Sequence, residues 1–464
     1  MKLVKRIKLL FTFLCAVVYQ TLLFGQVETK GLQDTTPFKV QKRFWAASIT
    51  NLATNVIINR YDADIRNIHW AKVTPTHWKA NLKAGFQPDY DHFTTNWLGH
   101  PTHGSFFYNA ARSNGYNYWQ SIPFTLAGSL VWEYFGETYN ASEIDLFTTS
   151  FGGIYMGEMT HRFSEAIRYR VKNRVLKQTA ITILNPASQF NGLFFKKNKR
   201  IYSDTVHAPI RSQLAFGGSY PFGQVGDNPF GARGYLSYSI IYGELFRKDQ
   251  KPYKPFDFFV FKTWVTYSIK GKDSLFFNIS SYAPLLVKHL SKNSVISLSQ
   301  HYDNLASDVY KIGSLAVTGD YSFRHNWNSK NTLTACVKAG IIPFGSSKSD
   351  IVKYIYHSED PEFQRDYVYG KGFTGGIDIS LRTQKYGKFM CNFDRWVIFT
   401  DRDAKGVEDL MMLIVDYDYP IWRKLGLGLQ FNYYKRLARY EKYANFQNIN
   451  NHYYEIKTLV GLTF

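Results

Sequence analysis

Cysteine is nearly absent from this chain, which has three cysteines in 464 residues. Cys15 lies in the N-terminal apolar segment, so only Cys336 and Cys391 remain in the rest of the chain. Two cysteines this far apart exclude a disulfide-rich scaffold, and their spacing matches no metal-binding knuckle. We predict two isolated thiols, although a bridge between them stays open, and we expect neither a bound metal nor a cofactor.

Long apolar runs are also lacking. Beyond residues 9–24 the chain has no run of about eighteen or more residues that is both apolar and free of charge, which argues against several membrane-spanning helices. Residues 9–24 follow a basic segment, residues 1–8, and precede Gly25. This order is typical of a secretory signal peptide. We predict a cleaved signal peptide over residues 1–25 and a flexible lead-in over residues 26–42.

Acidic residues are the minority among the charged ones, with 36 Asp and Glu against 56 Lys and Arg. The net charge of +20 falls to +16 when the four basic residues of the predicted signal peptide are removed. A basic surplus can attract nucleic acid, but the chain has no nucleic-acid motif and carries an export signal. We predict membrane lipid and lipopolysaccharide as partners instead, although lysines scattered over loops would give the same surplus.

The second half of the chain shows a repeated alternation of apolar and polar residues. Around residue 429, for example, Leu427, Leu429 and Phe431 alternate with Gln430 and Asn432. Successive side chains of a strand point to opposite faces, so each such segment has one apolar and one polar face. A soluble β-sandwich would also alternate. The repetition of the pattern, together with the export signal, favours a transmembrane β-barrel.

The last segment of the chain alternates in the same way and ends in an aromatic residue, Phe464. A terminal aromatic residue on such a strand resembles the assembly signal of Gram-negative outer-membrane barrels. We predict an antiparallel transmembrane β-barrel over residues 186–464, in which we count about twelve strands. An even number is expected of a closed single-chain barrel of this kind. We expect it to be inserted into the outer membrane by the barrel assembly machinery.

Residues 43–185 form the other predicted domain, and their periodicity is mostly helical. One helix is predicted to begin at His100 and to end at Gly115, and another to begin with Ser142 as its N-cap. Glycine costs about 1 kcal/mol in a helix interior relative to alanine, yet these helices contain Gly104, Gly128, Gly136, Gly152, Gly153 and Gly157. Close packing against a helix, a barrel wall or a lipid would explain so many glycines. The predicted fold class is therefore α+β, a β-barrel with a compact α-helical domain as plug or periplasmic lobe.

Ionisable residues recur in these helices. The candidates for a ligand-binding site or a structural polar network are His100, His103, Arg112, Glu133, Glu137, Asp145, Glu158 and Arg162. Glu133 and Glu137 share a helix face because they are four residues apart. We favour a structural network in which Arg112 or Arg162 pairs with a buried Glu133. A catalytic or metal site that uses His103, Glu133 and Glu137 stays open, as does ligand recognition.

Several uncommon residues of these helices follow one another at fixed spacing. They are Asn96, His100-Pro101, His103-Gly104, Tyr108, Ala111-Arg112, Gly115, Gly128-Ser129, Trp132-Glu133, Gly136-Glu137, Asp145, Thr149, Gly152-Gly153, Gly157-Glu158 and Arg162. Over about residues 60–170 this pattern resembles a bacterial family catalogued as domain of unknown function 3943. The resemblance implies an outer-membrane setting with a barrel that follows the helices. It implies no activity.

The sequence contains neither a Gly-x-Ser-x-Gly elbow nor a phosphate-binding loop, which disfavours the common serine hydrolases. We predict a non-enzymatic outer-membrane protein that gates a pore, takes part in transport or organises the envelope, with a periplasmic protein as a further partner. The alternative is a membrane-lipid-modifying hydrolase or transferase. Its buried His and Glu residues would carry the chemistry, and Arg112 would lie near the lipid phosphate.

Overall fold

The computed structural model describes residues 41–87, 91–195, 208–223, 231–247, 252–268, 275–307, 310–355, 365–400, 404–441 and 449–464. The chain divides into two compact units. The described residues up to 195 form a helical unit, and those from 208 onwards form a barrel unit. The predicted signal peptide and nearly all of the predicted lead-in lie outside the described residues.

The described part of the helical unit contains α1 (Phe44–Arg60), α2 (Pro75–Ala84), α3 (His100–Arg112), α4 (Tyr118–Phe135), α5 (Glu143–Phe147), α6 (Gly153–Arg170), α7 (Arg174–Leu184) and α8 (Pro186–Phe194). Ser142 caps α5, because its hydroxyl accepts a hydrogen bond from the backbone N–H of Asp145 at 3.2 Å. Gly115 follows α3 with a positive φ of 90°. Both predicted helix boundaries are therefore confirmed. Among the described residues, no helix is both long enough and apolar enough to cross a membrane.

Two glycines bring the backbones of α3 and α6 into contact. A Cβ atom added to Gly104 would lie 1.7 Å from the carbonyl oxygen of Thr149, and one added to Gly153 would lie 2.5 Å from the Cα of Gly104. Thr149 belongs to the π-helical segment Thr148–Gly152, which joins α5 to α6. Only glycine fits at these positions, so the prediction of close packing is confirmed for this pair of helices.

The helical unit extends further along the chain than residue 185, where the sequence analysis places the start of the barrel. Residues 186–194 form α8, because Pro186 suits the first turn of a helix and Asn185 caps it. The side chain of Asn185 accepts a hydrogen bond from the backbone N–H of Ser188 at 3.0 Å. The first strand begins only at Ile210.

The barrel unit is a closed barrel of twelve antiparallel strands. They are β1 (Ile210–Phe222), β2 (Arg233–Gly243), β3 (Phe258–Ser268), β4 (Leu275–His289), β5 (Ser294–Ala306), β6 (Lys311–Asn326), β7 (Thr332–Lys348), β8 (Tyr367–Thr383), β9 (Gly387–Thr400), β10 (Gly406–Trp422), β11 (Leu425–Tyr440) and β12 (Ile449–Thr463). Each strand pairs with its neighbours in sequence, and β12 closes the barrel against β1. The backbone N–H of Phe464 donates to the carbonyl oxygen of Ser212 at 2.8 Å. The predicted architecture and strand number are confirmed.

The strands present apolar side chains on their outer face and mostly polar side chains inside. On the outer face, Phe373 is 58% exposed and Leu429 is 53% exposed. On the inner face of β11, Gln430, Asn432 and Arg436 are buried. This arrangement is the one that hydrocarbon around a closed barrel requires, and it is the reason why the period of two in the sequence predicted the barrel correctly.

The two ends of the barrel have different connections. Turns of two to five residues join β4 to β5, β6 to β7, β8 to β9 and β10 to β11, and we name this the tight-turn end. The longer connection from β2 to β3, residues 244–257, lies at the same end. Residues 349–366 join β7 to β8 at the opposite, long-loop end, and they include helix α9 (Asp350–Ile355). In barrels of this type the short turns face the periplasm and the longer loops face outwards.

Candidate functional site

Three of the candidate polar residues and Tyr108 form a buried ion-pair cluster between α3 and α6, which we name the Glu158 cluster: Tyr108, Arg112, Glu158 and Arg162. Arg112 donates from Nε and Nη2 to the two carboxylate oxygens of Glu158 at 2.7 and 3.0 Å. Arg162 Nε and the Tyr108 hydroxyl each donate to the same carboxylate at 2.8 Å. Burial raises the pKa of Glu158, but the two guanidinium groups outweigh burial and lower the pKa to about 2.

The partner of the two arginines differs from the predicted one. The sequence analysis pairs Arg112 or Arg162 with Glu133, whereas both arginines bind Glu158. The contact between Gly104 and Gly153 holds α3 against α6, so that Arg112 faces Glu158 across the two helices. Residue spacing within one helix does not contain this information, because it says nothing about which helix lies opposite.

The other carboxylates surround His100 and form what we name the His100 cluster: Asp91, His100, Glu133, Glu137 and Asp145. His100 Nε2 lies 3.3 Å from Asp145 Oδ1 and 3.8 Å from Asp91 Oδ2. Burial lowers the pKa of His100, but the hydrogen bond and charge of Asp91 and the charges of Glu133 and Glu137 outweigh burial and raise the pKa to about 9.

Glu133 is the most deeply buried carboxylate of the His100 cluster. Its carboxylate accepts a hydrogen bond from the backbone N–H of Ser142 at 2.9 Å, at the start of α5. Burial raises the pKa of Glu133 well above its ordinary value, and the neighbouring charges of Asp145 and Glu137 act in the same direction. Such a carboxyl group holds a proton more readily than one in water, which is a property that catalytic acids and structural clusters share.

His103, the third catalytic candidate, lies in an aromatic environment. Its ring is 4.6 Å from the ring of Phe107 and 4.5 Å from that of Trp132, measured between centroids. Burial and the charge of nearby His100 lower the pKa of His103 to about 3, so the imidazole stays neutral. Trp132 also donates from its indole nitrogen to Glu137 at 2.6 Å. His103, Glu133 and Glu137 are therefore near one another, but Arg112 binds in the other cluster.

Metal binding has no support within the described residues, where no group of three or more His, Cys, Asp or Glu side chains is placed to hold a metal ion. Cys336 and Cys391 are free thiols.

The sequence analysis missed a third group of residues, which crosses the lumen of the barrel. Tyr310, in the connection between β5 and β6, stacks on Tyr434 of β11 with the ring centroids 5.3 Å apart. Tyr434 stacks in turn on Tyr453 of β12 at 4.5 Å. Since β5 and β11 are six strands apart in a ring of twelve, they lie on opposite sides of the lumen. These three tyrosines, which we name the tyrosine layer, therefore span it.

Apolar side chains complete the closure around the tyrosine layer. Its buried neighbours are Leu305, Ile312, Ala316, Ile342, Trp396, Ile398, Leu410 and Met412. Trp396 of β9 also donates from its indole nitrogen to Asp303 of β5 at 3.2 Å. At this height the lumen therefore contains a packed core.

Helix α9 folds into the lumen at the long-loop end. Its residues Ile351 and Val352 are fully buried against the inner side chains of Ala438 and Tyr440. Arg436 of β11 donates to Asp350 at 2.9 Å and also binds Glu408 of β10, at 2.9 and 3.0 Å. Strand β7 continues to Lys348, and residues 350–352 pack inside the barrel directly after it.

Towards the tight-turn end the inner wall keeps its ionisable groups in partial contact with solvent. Lys338 lies 3.1 Å from Asp378 and 2.7 Å from Asp394, and the Asp378 side chain is 28% exposed. Asn392 also donates to Asp378, at 2.5 Å. We name this part of the lumen the vestibule. The alternation along each strand predicts which side chains face the lumen, but it does not predict which side chains meet across the lumen.

The family comparison concerns the helices that carry both polar clusters. A family model described as Domain of unknown function (DUF3943) matches residues 85–187. We refer to these matched residues as the DUF3943 domain. The suspected family is therefore confirmed, and the match runs from shortly before α3 to the start of α8, so it contains every candidate polar residue of the sequence analysis. Helices α1 and α2 precede the matched range.

Solved structures similar to the chain are outer-membrane barrels. The KdgM porin is 9% identical, with 54% of this chain and 99% of the porin covered and a TM-score of 0.23. The outer membrane channel DcaP of Acinetobacter baumannii is 9% identical, with 55% and 97% covered and a TM-score of 0.24. An anion-selective porin from Comamonas acidovorans is 6% identical, with 55% and 99% covered and a TM-score of 0.21. No curated protein matches the chain.

The His100 cluster predicts that the DUF3943 domain loses stability in alkali. The pKa of His100 is about 9 in the folded domain and about 6.5 in an unfolded chain. The protonated imidazole therefore contributes its full stabilisation below pH 6.5 and loses it as the pH rises through 9. The raised pKa of Glu133 acts in the same direction. We expect up to about 3 kcal/mol of stability to be lost over this range.

Thermal unfolding of the helices, followed by circular dichroism in detergent at a series of pH values, measures this loss. The variant His100→Gln should remove most of the dependence between pH 6.5 and 9. Below pH 6.5 the sign reverses, because the lowered pKa values of His103 and Glu158 make the domain less stable as acid is added. An unchanged slope in His100→Gln would show that His100 does not carry the effect.

Proposed function

We propose that this chain is an outer-membrane protein whose barrel unit forms a gated pore, closed in the conformation described above. The apolar outer face of the strands supports the membrane location, because leaving so many Phe, Leu and Ile side chains in water would cost about 25 cal/mol for each Å² of apolar surface. The short turns at one end support an orientation with that end in the periplasm. The exported chain would then reach this membrane through the predicted signal peptide.

The observation that carries the gated pore is the contrast between the vestibule and the tyrosine layer. The vestibule is lined by side chains of both charges that remain partly exposed, which suits a path for water and polar solutes. The tyrosine layer and α9 close that path. A pore that opens must therefore move both the tyrosine layer and α9. The ion pair between Asp350 and Arg436 is one of the contacts that hold α9, together with the burial of Ile351 and Val352.

Conductance of the full chain in planar lipid bilayers tests this proposal. We expect the unaltered protein to be closed for most of the time. The double variant Tyr310→Ala/Tyr434→Ala removes the stack that spans the lumen and should conduct more than the unaltered protein whenever α9 moves, and Asp350→Ala should raise the frequency of opening. The matched control is Tyr433→Ala, a neighbouring tyrosine on the outer face of β11.

The outcome that overturns the gated pore is a double variant that conducts no more than Tyr433→Ala although its barrel is folded, as judged by its heat-modifiable mobility in gel electrophoresis. The barrel would then serve as an anchor for the DUF3943 domain. The position of that domain as a plug or a periplasmic lobe stays a prediction, as do the partners inferred from the sequence. The enzymatic alternative stays open for the group of His103, Glu133 and Glu137.

A further inference from the structure

Helix α1 has the reverse polarity of a helix in a water-soluble protein. Its buried side is polar and consists mainly of Thr50, Asn51, Asn55 and Asn59. Its exposed side is apolar and follows the spacing of a helical stripe, with Trp45 at 75%, Ile49 at 48%, Leu52 at 52% and Val56 at 61% exposure. In water the apolar side would be expected to face the core instead.

The side-chain nitrogens of the buried amides of α1 donate to the backbone of α4 and of Gly136, the residue that follows α4. The side-chain nitrogens of Asn51, Asn55 and Asn59 donate to the carbonyl oxygens of Phe124, Gly128 and Gly136, at 2.7, 3.3 and 2.8 Å. Side-chain amides that join helices through hydrogen bonds, and glycines that let the helices approach, are the means by which helices associate in a lipid environment, where apolar burial supplies no driving force.

Helix α4 shows the same reversal. Ser121, Thr125 and Ser129 are on its buried side, whereas Trp119 is 50% exposed and Leu130 is 38% exposed. Neither α1 over residues 44–59 nor α4 over residues 118–132 contains a charged residue. At 1.5 Å per residue these stretches are about 22–24 Å long, which is shorter than the hydrocarbon core of about 30 Å, so they suit a position within one leaflet rather than a crossing.

We propose that the exposed apolar faces of α1 and α4 bind the acyl chains of membrane phospholipids. The ion pairs of the Glu158 cluster are buried inside the helical unit, whereas the apolar side chains of α1 and α4 named above are exposed. That distribution is the one expected of helices that contact lipid, where charged groups pair with one another away from the hydrocarbon. The helical unit would thus be a lipid-binding element in addition to the barrel.

The residues at the start of α1 and the length of the connector favour lipid over another occupant. Lys42 and Arg43 precede α1, so a basic group lies at the start of its apolar face, where an anionic headgroup would lie. Arg60 and Arg66 at the other end pair with Asp64 and Asp62, at 3.6 and 2.7 Å, and add no net charge. The connector between α8 and β1, residues 195–209, spans at most about 50 Å. If the barrel is in the membrane, as proposed above, the helical unit is therefore held within reach of it.

Site-directed fluorescence on the full chain tests this inference. Single cysteines replace Leu52 or Leu130 on the apolar faces, in a background with Cys336→Ser and Cys391→Ser, and carry an environment-sensitive fluorophore. The protein is reconstituted in vesicles of phosphatidylethanolamine and phosphatidylglycerol, with or without a lipid that carries a quencher on its acyl chain. Lys79→Cys on α2, where Lys79 is exposed, is the control for a position in water.

A label at Leu429→Cys, on the outer face of the barrel, reports separately whether the barrel is in the bilayer. We expect the labels at residues 52 and 130 to be quenched to the same extent as the label at residue 429, and the label at residue 79 to keep its fluorescence. If residue 429 is quenched and residues 52 and 130 are not, lipid binding by the helices is refuted while the membrane barrel stands. If residue 429 is not quenched, the proposed membrane location fails first.

Two other occupants of the apolar face would also overturn the inference, and each has its own result. Labels that are shielded from water but insensitive to the quencher lipid would indicate cover by protein. Disulfide-linked dimers formed through Leu52→Cys would then identify a second copy of the chain. Without such dimers, the result would point to residues 1–40 of the same chain.

Discussion

Gly104→Ala is expected to destabilise the DUF3943 domain by about 3 kcal/mol or more, because the added methyl group cannot be accommodated without moving a helix. The new Cβ atom would lie 1.7 Å from the carbonyl oxygen of Thr149 and 3.0 Å from the Cα of Gly153. Both neighbours are backbone atoms, so no rotation of a side chain relieves the contact. Separation of α3 from α6 would also weaken the pairing of Arg112 with Glu158.

The matched control for this substitution is Gly99→Ala, five residues earlier in the same part of the chain. There the nearest atom to an added Cβ is the methyl carbon of Thr95 at 3.9 Å, which is an ordinary contact. Alanine is also the better helix former, so the control should be neutral or slightly stabilising. Thermal unfolding followed by circular dichroism compares the two variants, and equal unfolding temperatures would contradict the close contact between α3 and α6.

Glu158→Gln should cost about 3–5 kcal/mol of stability, because it leaves two buried guanidinium groups without their counter-charge. Arg112, Arg162 and Tyr108 all donate to the Glu158 carboxylate, and that side chain has no exposed surface. Glutamine has nearly the same volume, so a loss of stability would report the charge and not the packing. The helices should unfold at a lower temperature while the barrel retains its heat-modifiable mobility.

The surface pair of Arg60 and Asp64 supplies the comparison for Glu158→Gln. Both side chains are more than half exposed and their closest atoms are 3.6 Å apart. Exposed pairs contribute about 0–1 kcal/mol, so Asp64→Asn should leave the unfolding temperature almost unchanged. If Glu158→Gln behaved like Asp64→Asn, the Glu158 cluster would not be a main source of stability, and a role in binding would become the better explanation for these buried charges.

The alternation along the strands made the barrel predictable, because a wall with lipid on one side and a polar interior on the other imposes a period of two on every strand. Residues such as Leu429 and Gln430 carry this signal locally. The boundary between the units was harder to predict from the sequence. Asn185 caps a further helix that begins at Pro186, where the sequence analysis placed the start of the barrel. The end of α3 at Gly115 and the cap at Ser142 were local as well, and both were predicted correctly.

The polar residues of the helices could be identified from the sequence, but their ion-pair partners could not. His100, Glu133 and Glu158 stand out because ionisable residues are rare among so many small and apolar ones. Which arginine meets which glutamate depends on the contact between Gly104 and Gly153, which brings α6 against α3. The tyrosine layer is a stronger case, because nothing in the spacing of Tyr310 and Tyr434 says that they meet across a barrel.

The sequence alone determined the elements of this protein: the strands, their number and their apolar face, and the helices with their family resemblance. These properties are periodic or local, because the face of a strand or helix that is buried in lipid or in a core recurs at a fixed spacing within a short stretch of sequence. Only the tertiary structure decided the closed lumen, the position of α9, the two polar clusters and the outward apolar face of α1. Those features depend on contacts between residues far apart in the chain, where no local period constrains the choice of partner.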